Sequence, residues 1–286
     1  MALSVAPVDV VVVTYNPGET ITGFLASIPG AGGAASVTVV DNASRDDAPE
    51  RAARAAKADF VQTGRNAGYG AAANAGATKG SAPWILVSNA DIVLGEGAIT
   101  GLVATGEADA RIGAVGPLVR ELDGSVYPSA RPLPGLVLGA GHALLGRVWP
   151  GNPWTRRYRP RLEEGAPDRD AGWLSGACLL VRREAWEQVG GFDEAYFMFF
   201  EDVDLGRRLG RAGWRSVWTS RAEVTHVGGH SWRSDPAPML TAHHASAERY
   251  VRTTWPHWWQ APVRAAIARG LEARLKREIA AARATL

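Results

Sequence analysis

Three acids, Glu201, Asp202 and Asp204, follow directly on Phe197, Met198, Phe199 and Phe200 in the stretch YFMFFEDVDLGRRLGRAGW, residues 196–214. A carboxylate held beside an apolar wall and a like-charged neighbour has its pKa raised, which makes it a better proton acceptor near neutral pH. Burying such groups costs free energy that surface placement avoids, so the grouping points to a general base. A plainer role is also open, because acids at a helix N-terminus complement its dipole and cap free amides. The two roles coexist if a helix starts here. In that helix Asp204 lies three and four residues before Arg207 and Arg208, the spacing of structural ion pairs.

A second constellation is SNADI, residues 88–92, in which Asp91 stands two residues after Asn89. One carboxylate beside an amide oxygen suits a hard divalent cation that keeps several waters and is completed by substrate phosphates. His226, in EVTHVGGHSW, is a second candidate ligand far along the chain, although a histidine merely packed beside a glycine turn has the same appearance. The segment GRNAGYGAAANAGA holds Gly68-x-Gly70-x-x-Ala73, close to a dinucleotide fingerprint, with Asp91 about twenty residues further on. Such a fingerprint belongs after the first strand, where this chain has TYNPGE, so a nicotinamide-dependent dehydrogenase is disfavoured. The glycines still permit close backbone approach to a ligand phosphate, and Arg65 adds positive charge. A tight strand-to-helix turn is the plainer alternative.

These groups need a frame, and the first half of the chain supplies one. VDVVVVTY reads as a strand, and in the following NPGETITGFLASI the residues Ile21, Phe24, Leu25 and Ile28 fall at helical spacing. SVTVVDNAS is a second strand, APERAARAAKA a second helix, DFVQT a short strand, GAAANAGATKG a helix and WILVSNADI a further strong strand. Runs apolar on both faces and joined by helices predict a parallel sheet covered on both sides. Ligands bind such sheets at the carboxyl ends of the strands. That rule singles out Thr14, Tyr15 and Asn16, then Asp41 and Asn42, then Asn89 and Asp91. Asn and Asp also start turns, but several strands ending in polar groups at one edge form a ligand-binding pattern. Residues 123–170 are rich in Pro, Gly and Arg and read as a long connection with one short helix, of a length that is usually functional or disordered. GWLSGACLLVRREAWEQVGGFDE then returns to strand and helix, and RSVWTSRAEVTHVGG is the last strand.

A chain of 286 residues suffices for one large α/β domain or two small ones. Its net charge of +2 provides no basic field for nucleic acid. The single cysteine, Cys178, lies in the apolar run GACLLV, has no disulfide partner and reads as an inert buried thiol in a reducing compartment. The start, MALSVAPVDVVVVTYN, lacks a basic segment and its apolar run is broken by Pro7 and Asp9, so it does not read as a signal peptide. No run approaches the ~18 apolar residues of a membrane span.

Taken in order, VVVVTYN, VVDNAS, GRNAGYGAAANAG, VSNADI, WLSGACLLVRREAWEQVGGFDEAYFMFFEDVDLGRRLGRAGW and VTHVGGHS resemble the motifs of family-two inverting glycosyltransferases, and look most like their bacterial rhamnosyltransferase branch. The resemblance implies the GT-A fold over residues 1–232: a Rossmann-like, nucleotide-sugar-binding α/β domain with a mostly parallel mixed sheet flanked by helices. Residues 233–286 would form a C-terminal helical extension. It implies that Thr14, Tyr15, Asn16, Asp41, Asn42, Arg65, Asn66, Gly68 and Asn89 hold the donor, with Asp41 on the base or ribose. Asn89-Ala90-Asp91 stands where such enzymes carry Asp-x-Asp, one charge short, and Asp91 and His226 would hold Mg2+ or Mn2+. Asp202 would be the base and Glu201 would position it or the acceptor. Trp173, Ser175 and Gly176 would lie on the acceptor-side strand, with Trp173 equally suited to the core. His230 and Trp232 would close as a lid that excludes water.

The implied reaction transfers L-rhamnose from dTDP-L-rhamnose to a polyprenyl-diphosphate-linked acceptor, N-acetylglucosaminyl-diphospho-decaprenol in actinobacterial members, to build the linker between peptidoglycan and arabinogalactan. Another nucleotide sugar, a polysaccharide acceptor or a non-catalytic nucleotide-sugar binding module are the alternatives. The tail over 255–286 carries Arg264, Arg269, Arg274, Lys276, Arg277 and Arg283 against Glu272 and Glu278, with Trp255, Trp258 and Trp259 at its start. Tryptophans beside a basic helix suit an anionic membrane surface, while docking on the catalytic domain or on a second copy in a homodimer is the competing explanation. The uncharged GLVLGAGHALLG with Arg156, Arg157, Arg159 and Arg161 is a second candidate contact with lipid or with an acceptor diphosphate. A lipid acceptor and a chain with no span together imply a cytoplasmic enzyme, peripheral at the inner face of the plasma membrane.

Overall fold

The valine-rich run near the start of the chain forms β1 (Val8–Thr14), every residue of which is buried. Side chains alternate across a strand, so Val8, Val10 and Val12 enter one core while Val11 and Val13 enter another. The computed structural model describes residues 6–135, 149, 162–228 and 237–285. Through these the elements continue as α1 (Thr20–Ser27), β2 (Ser36–Asp41), α2 (Ala48–Ala55), β3 (Asp59–Gln62), α3 (Tyr69–Ala77), β4 (Trp84–Asn89), β5 (Ile92–Leu94), α4 (Ala98–Glu107) and β6 (Ile112–Glu121). Short strands β7 (Val126–Tyr127), β8 (Ala130–Arg131), β9 (Arg169–Ala171) and β10 (Trp173–Leu174) precede β11 (Cys178–Arg182), α5 (Arg183–Val189), α6 (Glu201–Arg211) and β12 (Arg215–His226). The chain closes with α7 (Ala237–Thr254), a 3-10 turn at Trp258–Gln260 and α8 (Ala261–Thr285).

The main sheet has the order β3-β2-β1-β4-β11-β6-β12-β5, with β7 beside β6 and β9 beside β12. The first four strands are parallel. β11 runs antiparallel to both β4 and β6, and β6 and β12 are parallel again. Phe24 of α1, Ala53 of α2 and Leu102 of α4 fill one core. Ala73 of α3, Trp186 of α5 and Leu205 of α6 fill the other, giving a three-layer sandwich. The predicted doubly covered, mostly parallel sheet is present, and its one central departure is the antiparallel β11.

β6 is the strand that periodicity does not reveal, because Gly113, Gly116 and Pro117 interrupt its pattern. Proline has no N–H to give a ladder. The register of β12 against β6 breaks between Trp218 and Glu223, opposite Pro117, so the partner bulges away where the donor is missing. The long connection over 123–170 begins with β7 and β8 and ends with β9; the predicted short helix, GLVLGAGHALLG and Arg156 to Arg161 lie outside the described residues, Gly135 apart.

The C-terminal segment does not stand apart from the sheet domain. Tyr250 of α7 is buried with Trp173, Tyr196 and Val203 in a third apolar cluster. Ser246 Oγ donates to the Met198 carbonyl at 2.7 Å, and Arg249 pairs with Asp193 at 2.8 Å. α8 returns along α7, bringing Glu278 to 3.6 Å from His244.

Candidate active site

The carboxyl ends of β1, β2 and β4 meet at one edge, where Thr14 lies opposite Asp41 and Val13 opposite Asn89. Asp41 is buried and its carboxylate accepts the Ser44 N–H at 3.1 Å and the Ser44 hydroxyl at 2.5 Å. With Ser44, Arg45, Asp46, Asp47, Phe60 and others it lines a cavity of about 280 Å³. Tyr15, which follows β1, is exposed. Asn16 adopts a left-handed conformation, donates its N–H to Ser44 Oγ at 2.8 Å and accepts the Arg45 N–H at 2.9 Å. Asn42 is buried; it donates to the Gly68 carbonyl at 3.0 Å and accepts the Ala67 N–H at 2.9 Å. Both amides, singled out in the sequence as donor contacts, therefore tie the strand-end loops to one another. Asn66 accepts the Gly68 N–H at 3.2 Å, the Arg65 side chain is exposed, and the buried Thr14 hydroxyl has no partner among the described residues.

Gly68 has a structural use beside the phosphate approach that its motif suggests. Its φ is +95°, and a Cβ there would lie 2.3 Å from the Phe197 carbonyl oxygen. The next N–H, that of Tyr69, donates to the same oxygen at 3.1 Å. The glycine turn is thus packed on the backbone just before the acids. Gly68→Ala adds both backbone strain and a clash with main-chain atoms, and is expected to cost about 2–4 kcal/mol. A urea unfolding midpoint measured against the parent checks this; an unchanged midpoint would show that the two segments separate freely.

The acids follow two consecutive phenylalanines in left-handed backbone conformation, Phe199 at φ 67° and Phe200 at φ 64°. Bulky residues adopt it only when their surroundings enforce it. Here the enforcement comes from α7: the His243 ring lies 5.3 Å from that of Phe199 and 5.4 Å from that of Phe200, Tyr250 lies 5.6 Å from Phe200, and Ser246 holds Met198. The turn delivers Glu201 and Asp202 as the first residues of α6, so capping position and reactive pair coincide. Asp202 Oδ2 accepts the Gly176 N–H at 3.0 Å, and Oδ1 accepts the Val203 N–H at 2.8 Å. The Gly176 carbonyl accepts the Tyr69 hydroxyl at 2.5 Å.

Burial raises the pKa of Asp202 against the opposing pull of the Gly176 and Val203 N–H groups and the Arg131 charge. Glu201 is 7% exposed, its Oε2 has no partner among the described residues, and burial followed by the charge of Asp202 pushes it up to about 8. Asp204 bonds Arg207 at 2.5 Å and Arg208 at 2.6 Å, the structural pairing its spacing predicts. In GWLSGA the Gly176 N–H is the group bonded to Asp202. Trp173 belongs to the core, with Arg131 stacked 5.4 Å over its ring, and the Ser175 N–H is taken by the Ser129 carbonyl at 2.7 Å. Burial of Trp173 is the alternative that its sequence context keeps open beside a place on the acceptor-side strand. His230 and Trp232 lie outside the described residues.

Asp91 and His226 meet although 135 positions in the numbering separate them. The Asp91 carbonyl accepts the Val227 N–H at 2.9 Å, and His226 Nε2 lies 3.3 Å from Asp91 Oδ2. His226 Nδ1 faces Glu121 at 3.4 Å. The hydrogen bond to Asp91, with the charges of Asp91 and Glu121, pushes the imidazole up to about 8 against its partial burial. Asp91 Oδ1 is buried with no partner among the described residues. Among the described residues no group of three or more His, Cys, Asp or Glu side chains could hold a metal. A carboxylate and an imidazole with one orphaned buried oxygen nevertheless fit a divalent cation whose remaining ligands come from phosphate and water. The N–H of Asn89 donates to the Ala177 carbonyl at 2.9 Å, which joins this pair to the Gly176–Asp202 segment.

Tyr69, Glu121 and Arg131 are part of this arrangement and carry no signal of their own in the sequence. Glu121 ends β6, in register with His226, and would be visible only once β6 is recognised.

The family described as "Glycosyltransferase like family 2" matches residues 6–237. The N-acetylglucosaminyl-diphospho-decaprenol L-rhamnosyltransferase of Mycobacterium tuberculosis is 48% identical over 269 residues, covering 89% of this chain and 87% of its own. An uncharacterized glycosyltransferase of the same species is 30% identical over 78% of this chain and 88% of its own. Among solved structures, the mannosyltransferase PcManGT from Pyrobaculum calidifontis in complex with GDP-Man and Mn2+ aligns with a TM-score of 0.56 and 20% identity over 99% of this chain and 77% of that one. GalNAc-T7 with UDP, GalNAc and Mn2+ aligns with a TM-score of 0.59 and 15% identity over 79% of this chain and 44% of that one. At these identities the two structures speak for the fold, which is GT-A.

Proposed function

The chain belongs to glycosyltransferase family 2, and from that premise we propose that it transfers L-rhamnose, with inversion, from dTDP-L-rhamnose to N-acetylglucosaminyl-diphospho-decaprenol. The observation that carries the proposal is the 48% identity to a transferase of that name over 89% of the chain. The strand-edge cavity beside Asp41 would take the nucleotide, with Thr14, Tyr15 and Arg65 near its phosphates and Asn16, Asn42, Asn66 and Gly68 shaping its walls. Asp91 and His226 would hold Mg2+ or Mn2+. Such an ion, when bound, offsets the charge of the departing diphosphate. Asp202 would accept the proton of the attacking acceptor hydroxyl through its carboxylate. Gly176 and Tyr69 hold that carboxylate in place, and burial raises its basicity. Attack from the face opposite the diphosphate yields the inverted linkage.

Calorimetric titration with dTDP-rhamnose, UDP-glucose, UDP-galactose and GDP-mannose, each with Mn2+ and with EDTA, tests the donor and metal assignments together. The expected result is preference for dTDP-rhamnose, lost in EDTA and weakened about tenfold or more by Asp91→Asn. Preference for another sugar would keep the fold and reject the rhamnosyl reading. Binding untouched by EDTA and by Asp91→Asn would reject the metal site.

A lipid-linked acceptor places the enzyme at a membrane surface, and among the described residues no helix is long and apolar enough to cross one. Trp258 and Trp259, 84% and 61% exposed, form the tip between α7 and the basic α8. Exposed tryptophans beside cations favour an anionic interface, which supports a peripheral location at the inner face. Replacing both tryptophans with serine is expected to reduce co-sedimentation with phosphatidylglycerol liposomes about tenfold or more and to leave donor binding unchanged. Undiminished sedimentation would leave the tip to contact another protein copy.

A further inference from the structure

A second cavity, of about 720 Å³, lies between the turn that carries the acids and the two C-terminal helices. Ala195 and Phe197 line it from the turn, Ala242, Ala245 and Arg249 from α7, and Ile279 from α8. We propose that this groove holds the first isoprene units of the acceptor's polyprenyl chain. The inference rests on the lipid-linked acceptor proposed above and extends it to a binding site.

The chemistry of the lining comes first. Alanines at helical spacing along α7 remove side-chain bulk from one face and leave a trough, and Phe197 stands 45% exposed at its wall. A large ring left open to water costs free energy that an apolar ligand recovers. The position comes second. The Phe197 carbonyl accepts the Tyr69 N–H, and Tyr69 is bonded through Gly176 to Asp202. Ser246, itself in the lining, holds the Met198 carbonyl on the same turn. A chain leaving the acceptor diphosphate therefore finds apolar surface on the segment that presents the base.

Shape favours a linear ligand over a second copy of the protein. A trough walled by segments of a single chain fits a narrow branched hydrocarbon, whereas a stable interface between copies buries about 800 Å² on each partner. α8 runs from the tryptophan tip to Ile279, so a bilayer met along α8 lies within reach of the groove.

The test compares two acceptors, N-acetylglucosaminyl diphosphate carrying a C20 polyprenyl chain and the same head group carrying a butyl chain, in detergent micelles with the full chain. Ala242→Trp fills the trough and is expected to raise KM for the polyprenyl acceptor about tenfold or more, leaving KM for the butyl acceptor and for the donor unchanged. Thr241→Trp, at the rim of the same lining, provides a second variant, and a thermal melt confirms that each is folded. Equal effects on both acceptors, or none on either, would overturn the inference. A change in sedimentation with both KM values intact would assign the groove to copy-to-copy contact and also overturn it. A wild-type protein that turns over neither acceptor overturns the acceptor reading itself, a failure that needs no variant to detect.

Discussion

Asp202→Asn is expected to lower kcat about a thousandfold or more while leaving the donor dissociation constant within about twofold. The amide keeps the shape of the carboxylate and can still meet the Gly176 and Val203 N–H groups through its oxygen, so the turn and the donor cavity persist. What it loses is the capacity to take a proton. A non-catalytic binding module would show no turnover to lose, so single-turnover transfer measured beside donor calorimetry separates the two. Glu201→Gln is the informative companion. Burial and the Asp202 charge keep the Glu201 proton in place up to about 8. Below that pH Glu201→Gln therefore exchanges one neutral group for another and is expected to leave the rise of kcat with pH in place. Any change of kcat above about 8, where Glu201 ionises beside the base, is expected to disappear.

The same pair links pH to stability. Burial and the Asp202 charge raise Glu201 from 4.5 to about 8, so between those values the folded chain keeps a proton that the unfolded chain releases. The contribution is fully present below 4.5 and is lost as pH rises through about 8. Urea midpoints should therefore fall from pH 5 to pH 8.5 in the parent and fall less in Glu201→Gln.

Removing residues 237–286 is expected to abolish transfer and to destabilise the remaining domain by at least about 3 kcal/mol, although every strand and the acids themselves are retained. Tyr250 leaves the cluster it shares with Trp173, Tyr196 and Val203, and the rings of Phe199 and Phe200 lose His243. Two left-handed phenylalanines store about 1–3 kcal/mol each. Without the helix that enforces them the turn relaxes, and Glu201 and Asp202 move with it. Removing only residues 255–286 retains α7, and is expected to spare at least about a third of the turnover of a water-soluble acceptor while abolishing liposome binding. Equal loss in both truncations would mean that α8, not the contact of α7 with the turn, carries the effect. Ser246→Ala, which releases one hydrogen bond to the turn, should fall between parent and full truncation in kcat with donor affinity unchanged.

Much of this site is legible in the sequence because its signals are local. Alternating valines, strand-terminal Asn and Asp, and Asp204 placed before Arg207 and Arg208 all express periodicities within a few residues of one another. The inert character of Cys178 follows in the same way from its apolar neighbours, and burial pushes the thiol up to about 12. The acids behind the phenylalanines are legible as an unusual grouping, but the aromatic run has a partner that the grouping does not name. Its rings engage α7, and it serves to hold a strained turn as well as to exclude water.

What the sequence leaves undetermined is every relation between distant segments. The Gly68 turn reads as a phosphate cradle or a tight turn, and only the fold shows it packed on Phe197. Trp173 reads as acceptor-side or core, and only the fold buries it in a cluster with Tyr196, Val203 and Tyr250. Tyr69 reaches the Gly176 carbonyl across 107 positions, and no pattern near either residue encodes the bond. β6 hides behind Pro117 until β12 is seen to bulge opposite it. Local periodicity reports which face of an element is apolar; which element covers that face depends on the register and packing of segments that meet only in the folded chain. Thus the sequence by itself determined the sheet edge, the acid pair and the metal-ligand candidates, and tertiary packing alone decided what holds them in reacting position.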